Sequence, residues 1–285
     1  MPTGLCFLIA TFLWGSSFVA LKAAIDVYPP TLVIFLRMLL TLLICLCCWR
    51  WVKRFNYQQG DWKWLMIMSL AEPCLYFLFE GYAMQYTSAS QAGIIVSCLP
   101  LMVAFFAFFL IKEKLSINII IGFSLCIIGS VLLSFVSPSN DHAPNPLLGN
   151  LLEFMAMICA AFYVVSMKYL LNRYSALSLI ALQGFSGTVF FAPFLLFIDW
   201  PQQYHINALL NIVYLGSAVT LGAYGMYNYA LAKSSVLTAA AYSNLVPIFA
   251  LFLSAILLNE VLTVGQWMSI LLVFSGVLIS KRHVS

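Results

Sequence analysis

The chain has 285 residues, of which 64% are hydrophobic and only 8% charged, with a formal net charge of +4. A soluble domain carries roughly 25% charged residues, so a water-facing surface is excluded and lipid is the expected solvent. Each bilayer crossing takes about 20 helical residues; ten crossings leave no room for a separate soluble domain, and no G-x-x-x-x-G-K-[ST] loop is present to support an internal ATPase.

Taken in order, apolar stretches predict helices near 4–24, 31–49, 62–84, 88–111 and 115–135. A second set follows near 149–170, 176–197, 207–231, 235–258 and 263–280. Between them, VSPSNDHAPNPLL at 136–148 is rich in Pro, Asn and Ser and marks a boundary. The expected organisation is a five-helix repeat over 1–137, a linker over 138–148 and a second five-helix repeat over 149–285. An odd number of helices turns the second half upside down. The expected fold class is an all-α polytopic membrane protein, ten transmembrane helices forming two inverted five-helix repeats.

Loop charges test this count independently. Arg50, Lys53, Arg54, Lys63, Lys112, Lys114, Arg173, Lys233, Lys281 and Arg282 all fall at alternate connections, whereas 26–30, 85–88, 136–148, 198–206 and 259–262 contain no Lys or Arg. The positive-inside tendency assigns both termini to the cytoplasm, in a bacterial inner membrane. The net charge is thus a topology signal and implies no nucleic-acid partner. Met1–Gly4 has no basic side chain, so no cleavable signal peptide is expected.

The halves share more than helix count. TSASQAGIIVSCLPLMVAFFAFFLIKEKLSINIIIGFSLCIIGSVLLS, beginning at Thr87, recurs without a gap 147 residues later. Pro100 falls on Pro247, Glu113 on Glu260 and Gly129 on Gly276. Such matches are not an accident of greasy composition, and internal repeats in a membrane protein point to a secondary transporter.

Eight cysteines lie inside apolar runs, without C-x-x-C spacing; they read as small buried hydrophobes rather than metal ligands. Charged groups inside a bilayer need a reason. On a continuous third helix, Glu72 lies near mid-membrane and Glu80 in the outer third, about 12 Å apart along the axis. Glu80 reads equally as a partner of Arg37 or as functional; Glu72 has no evident basic partner and reads as functional. Arg37 pairs with Glu80 or Glu153, or extends to the outer interface, and Lys22 is expected to snorkel. Glu113 and Glu260 are expected to fasten the turns between paired helices.

Pro100 and Pro247 each free a carbonyl one turn earlier, and Ser97 and Asn244, at equivalent positions just upstream, are candidate contacts for it or for a ligand, with plain helix bending the equal alternative. Tyr224, Tyr227, Asn228 and Tyr229 lie on the eighth helix, with Tyr227 the repeat equivalent of Glu80. Together with Trp14, Tyr76, Tyr163 and Tyr242 they offer an aromatic lining with hydroxyl handles. Gly184-Phe185-Ser186-Gly187 spells a G-x-S-G as in intramembrane serine proteases, but that chemistry needs a base in the membrane. All three histidines (His142, His205, His283) lie outside the apolar runs, so helix packing is the favoured reading.

WGSSF at 14–18, the Arg in FLRMLLTLLI, YTSASQAGIIVSCLPLMVAFFAFFLIKEKL and the counterpart ending in LLNEVL resemble, over essentially the whole chain, the EamA branch of the drug/metabolite transporter superfamily. The resemblance implies a ten-helix carrier, commonly an exporter of amino acids or other small metabolites, with a cavity shared by helices 1, 3, 4, 6, 8 and 9. Glu80 departs from it, standing where relatives usually carry an apolar or aromatic residue.

The expectation is therefore a non-enzymatic exporter working by alternating access, without a cofactor or metal, its partners being a small-molecule substrate, membrane lipid and protons. Substrate contacts are expected at Trp14, Tyr76, Glu80, Ser97, Tyr163, Tyr227, Asn228, Tyr242 and Asn244. Glu72 and Glu80 are expected to couple protons, with structural or gating roles at Arg37, Pro100, Glu113, Pro247 and Glu260. No obligate protein partner is evident. A lipid or lipid-linked-sugar flippase is the alternative reading.

Overall fold

A computed structural model describes residues 1–48, 50, 57–111, 117–140 and 143–281. Among these the helices group into ten segments: α1 Thr3–Ile25, α2 Pro30–Cys47, α3 over 62–86, α4 over 89–111 and α5 Ile117–Val136. The second half repeats the set as α6 Pro146–Leu170, α7 Ala176–Phe197, α8 Ile206–Ala232, α9 over 236–257 and α10 Val264–Lys281. Eight stretches are long and apolar enough to cross a membrane, α10 contributes a shorter apolar stretch over Val264–Ile279, and α3 is made of three pieces. Two ends of the bundle can be named from the chain alone. The linker end holds residues 138–140 and 143–145, and the terminal end holds Met1 and Lys281.

Apolar side chains on the bundle's outside have lipid tails for solvent, so packing rather than hydrophobic expulsion holds the helices together. α5 shows how. Its Ile117, Ile120, Ile121, Ile128 and Phe135 are exposed, while Gly122, Cys126 and Gly129 form a buried stripe of small residues one and two turns apart. That stripe packs on α10, and the packing reveals the relation between the halves. Gly129 sits against Val273 and Ser269; its repeat partner Gly276 sits against Cys126 and Gly122, the repeat partners of those two. Cys126 and Val273, themselves 147 residues apart, join through a thiol-to-carbonyl hydrogen bond of 3.3 Å. Nearer the linker end, Gly265 at the start of α10 meets Val136 at the end of α5. Late residues of one helix thus meet early residues of the other. The two helices are antiparallel about a pseudo-twofold at Cys126 and Val273, and the repeats are inverted.

Helix ends obey the same relation. Ser88 caps α4 by accepting from the Gln91 N–H at 3.4 Å, and Ser235 caps α9 by accepting from Thr238 N–H at 3.0 Å. Lys22 donates to the Met84 carbonyl at 2.7 Å, and Lys168 donates to the Leu231 carbonyl at 2.9 Å, each ammonium meeting the last turn of the third helix of its half. Met84 and Leu231 differ by 147 residues and the lysines by 146, so α6 follows α1 with an offset one residue shorter.

Three expectations change. Lys22 does not snorkel: it is 3% exposed and also pairs with Asp26 at 3.4 Å. Cys47 and Cys48 are exposed at the end of α2 rather than buried. α3 is not continuous, because Glu72 leaves helical geometry (φ −147°, ψ 120°) just before Pro73, so a regular helical projection does not relate Glu72 to Glu80. The arginines, lysines and other residues at 51–56, Lys112, Glu113, Lys114, Asp141, His142 and 282–285 lie outside the described residues.

Candidate functional site

A cavity lies where the two halves meet, and its walls come from equivalent positions. α1 gives Trp14, Ser17 and Phe18, and α6 gives their counterparts Ala160, Tyr163 and Val164, 146 residues on. α3 gives Phe77 and Glu80 where α8 gives Tyr224 and Tyr227. α4 gives Val96 and Leu99 where α9 gives Ser243 and Val246. Each helix in the last pair is broken at this level, α4 by a tight turn over Val96–Cys98 and α9 between Ser243 and Val246. Pro100 and Pro247 lack the N–H that would have reached Val96 and Ser243, so the backbone opens where the wall is formed. The space left for the centres of water-sized molecules is about 50 Å³, enough for a few waters.

The charged groups are shielded from solvent: Glu72 is 3% exposed, Glu80 4%, Arg37 2% and Glu153 0%. Arg37 turns inward from α2. Its Nε donates to Thr220 Oγ1 at 2.7 Å, its Nη1 stands 3.8 Å from Glu80, and the guanidinium lies 4.1 Å over the Phe77 ring. Of the alternatives for Arg37, the geometry takes Glu80. Glu80 also accepts from the Tyr76 hydroxyl at 2.7 Å. Glu72 accepts from the Tyr224 hydroxyl, and its backbone carbonyl accepts from Gln183 Nε2 at 3.3 Å. Its carboxylate partner is thus a hydroxyl and not a base, reached where the backbone breaks at Glu72. Both Glu72–Tyr224 and Arg37–Thr220 join the first half to α8 of the second.

The aromatic candidates separate into two groups. Trp14 stands edge-on to Tyr224 at 5.1 Å and tilted to Tyr227 at 4.6 Å, with no partner for its indole N–H. Tyr76 and Tyr163 also line the space, and Tyr163 exchanges hydrogen bonds of 3.0 and 3.3 Å with Asn228, which stands behind it. Tyr227 approaches Ser243 without a hydrogen bond of normal geometry. Tyr242 lies below the cavity, stacked on Phe7 at 4.9 Å, and Phe7 meets Tyr227 edge-on at 5.3 Å. This cluster blocks the way to the terminal end. Tyr229 is 39% exposed and receives a hydrogen bond from Lys233, so it faces away from the cavity.

Ser97 and Asn244 sit at the two helix breaks. Ser97 Oγ and Asn244 Oδ1 are buried without a partner, while Asn244 Nδ2 donates to Ala241 O at 3.0 Å. Neither meets the carbonyls freed by the prolines. The Glu260 side chain reaches the other half rather than its own turn: its two carboxylate oxygens accept from Ala89 N–H at 3.0 Å and Ser90 N–H at 2.9 Å. It caps α4 of the opposite half, an acid on the positive end of a helix. Glu113 lies outside the described residues.

Further closure at the linker end comes from Asn150, bonded to Thr87 at 2.6 Å, Gln91 at 3.0 Å and Ser134 at 3.1 Å. At the terminal end Asp61 holds Arg173 at 2.6 Å and Tyr174 at 3.0 Å. In the G-x-S-G stretch, Gly184 faces the Leu42 backbone, Gly187 faces Met38, and Ser186 Oγ donates to the Gln183 carbonyl at 3.2 Å. These are contacts between packed helices.

Several cavity residues were not foreseen: Ser17, Phe18, Phe77, Ser243 and Met157, with Tyr224 seen only as one tyrosine of its helix. Ser17 and Phe18 are the counterparts of Tyr163 and Val164 only at the offset of 146, which the ungapped repeat does not give. Glu153 was considered only as a partner for Arg37, although an acid two turns inside an apolar span is signal enough.

Two inverted halves around a shared closed cavity can be set beside known proteins. The EamA-like transporter family matches residues 1–135 and again 147–281. The uncharacterized transporter YetK of Bacillus subtilis is 28% identical, over 93% of this chain and 82% of its own length. An uncharacterized transporter of Archaeoglobus fulgidus is 25% identical over 90% of each chain. A solved crystal structure superposes with a TM-score of 0.69, covering 98% of this chain and 96% of its own, at 18% identity, which is a likeness of fold alone. With one match to each half and almost nothing left over, the chain belongs to the EamA-like transporter family.

Proposed function

We propose that this membrane transporter exports a small organic metabolite, amino-acid-like or an amine, by alternating access across a bacterial inner membrane. In this reading the linker end faces outward, both termini face the cytoplasm, and residues 1–137 rock against residues 149–285. The observation that carries it is the central cavity. It lies at the pseudo-twofold, takes equivalent walls from both halves and is flanked toward its two ends by different contacts. A typical small-molecule pocket is roughly 300–1,000 Å³, so this closed state must widen on one side to load and on the other to release. Trp14, Tyr76, Tyr163 and Tyr227 supply ring faces for an ammonium group. Ser97 and Asn244, just outside the lining at the two helix breaks, carry unpartnered polar atoms that a widened cavity would reach.

Proton coupling is assigned to Glu72 and Glu80. A charge on Glu72 is expensive at this depth unless Tyr224 answers it, and that hydroxyl belongs to the other half. Gain or loss of a proton there changes the contact between α3 and α8 directly. The test is a thermal-shift screen of purified protein against amino acids, amines, nucleosides and sugars, followed by counterflow in proteoliposomes. A ligand at 100 times its Kd adds about 2.7 kcal/mol of stability. Stabilisation by lipid-linked sugars and not by free metabolites would replace this reading by a flippase.

A further inference from the structure

Glu153 is the buried acid that the contacts so far leave without employment. It is fully buried on α6, and neither carboxyl oxygen has a hydrogen-bond partner. On α6 it continues the face that carries Met157, Ala160 and Val164 into the cavity, one turn nearer the linker end. The repeat identifies its neighbourhood. At the offset of 146 that matches Lys22 to Lys168, Glu153 stands where α1 has Phe7. Phe7 packs on Tyr227, and Tyr227 stands where α3 has Glu80. The aromatic contact at the terminal end of the cavity is therefore answered at the linker end by two carboxyl groups, carried on stretches of α3 and α6 that pack against each other.

We propose that Glu153 and Glu80 form an acid pair at the linker end of the cavity that binds one exchangeable proton. This deepens the transport reading and rests on it. Two carboxylates facing each other in low dielectric do not both ionise. Glu80 has Arg37 and the Tyr76 hydroxyl to support its charge, and Glu153 has no such support. The shared proton therefore belongs on Glu153 in the closed state. The other ionisable groups nearby are already engaged: Cys98 with Ser130, Cys126 with Val273, Tyr224 with Glu72, and Lys22 with Met84 and Asp26. Tyr242 and Tyr227 belong to the cluster around Phe7. The Asn150 cluster lies one turn along α6 from Glu153, on the side of the linker end. Opening that cluster admits water, lets Glu153 ionise and releases its proton on that side. A like-charged pair then faces the cavity and must be neutralised before closure.

The site is tested in wild-type protein with dicyclohexylcarbodiimide, which attacks protonated carboxyls in apolar surroundings, with the adduct mapped by mass spectrometry. Labelling of Glu153 that falls as pH rises is expected. Absence of label on Glu153 at low pH, or protection by sodium ions at fixed pH, overturns the proposal. In proteoliposomes Glu153→Gln should keep substrate counterflow but lose accumulation driven by a pH gradient, with loss of the associated proton flux. Full retention of gradient-driven accumulation by Glu153→Gln overturns it too. The labelling needs no substrate, so a wild type that labels at Glu153 yet accumulates no metabolite counts against the transport reading and not against the acid pair.

Discussion

Glu260→Ala offers a direct measure of how firmly the linker end is shut. The carboxylate holds two N–H groups of the opposite half, Ala89 at 3.0 Å and Ser90 at 2.9 Å. Hydrogen bonds to a charged group contribute about 1.5–3 kcal/mol each when buried, and a charge at a helix N-terminus adds about 0.3–1 kcal/mol. Glu260 is only half-buried, and screening of such a pair reduces the sum to a working figure of about 1–3 kcal/mol. Because these bonds cross between halves and must break when the linker end opens, the loss falls on the closed state. The equilibrium between closed and linker-open forms should shift by about 5–150-fold. Hydrogen exchange read by mass spectrometry is the assay: amides at 89–92 should lose protection by that factor, while those of α5 and α10 stay unchanged. Glu260→Gln, which keeps an acceptor but not the charge, should fall between. Unchanged exchange at 89–92 would refute the latch. A uniform rise across all helices would show general loss of fold instead.

Four further outcomes are expected. Trp14→Ala and Tyr227→Ala should each weaken ligand binding by about 0.5–2 kcal/mol, measured by calorimetry. Phe109→Ala, at a 60% exposed ring, should not; Phe106 is no lipid-facing control, because it packs on Phe162 at 4.3 Å. Glu72→Gln should retain folding and counterflow but lose pH-driven accumulation, and retention by both this variant and Glu72→Gln/Glu80→Gln would make facilitated diffusion the better description. Gly276→Val places a Cβ 2.5 Å from the Gly122 carbonyl oxygen, so it should lower stability in detergent by about 1–3 kcal/mol, read as a fall in Tm. A cysteine at 141 should react with an impermeant thiol reagent in intact cells and one at 282 should not, and the reverse pattern would invert the topology.

Helix number and the duplicated plan were legible because lipid imposes them. A crossing needs about 20 apolar residues, and ten such runs separated by charges of alternating density leave little freedom. The ends of α7 fall at the predicted residues, and those of α2, α5 and α6 within three. Irregular backbone was harder to read. Pro73 stood in plain view inside α3, yet only Pro100 and Pro247 were weighed as breaks, since they alone recur in the repeat. The widened turns of α8 over Leu215–Ala223 have no comparable marker, although Gly216 permits the Arg37 carbonyl to approach so closely that a Cβ there would lie 2.8 Å from it. Lys22 was misjudged because hydropathy says how deep an ammonium lies but not that the end of a neighbouring helix faces it. Glu153 escaped for a more specific reason. The ungapped match begins at Thr87, where the offset is 147, and α1 follows α6 at 146. The correspondence of Phe7 with Glu153 is therefore invisible until the two lysine caps supply the right register.

That register separates the parts of the molecule that keep the symmetry from those that abandon it. The α5–α10 seam, the serine caps and the Met84 and Leu231 carbonyls that accept from the two lysines occupy corresponding positions in both halves. These contacts specify a scaffold whose two orientations are nearly equivalent, the condition under which rocking between two states leaves neither strongly preferred. The cavity wall keeps the positions and changes the chemistry: Glu80 opposes Tyr227, Glu153 opposes Phe7, and Trp14 opposes Ala160. A cavity with identical ends would give a proton or a substrate no reason to prefer one direction of loading. Acids gathered toward the linker end and aromatic rings toward the terminal end make the two openings chemically different. On the proposed alternating-access reading, the scaffold's symmetry would permit the exchange of states, and the broken symmetry of a few side chains would give that exchange a direction.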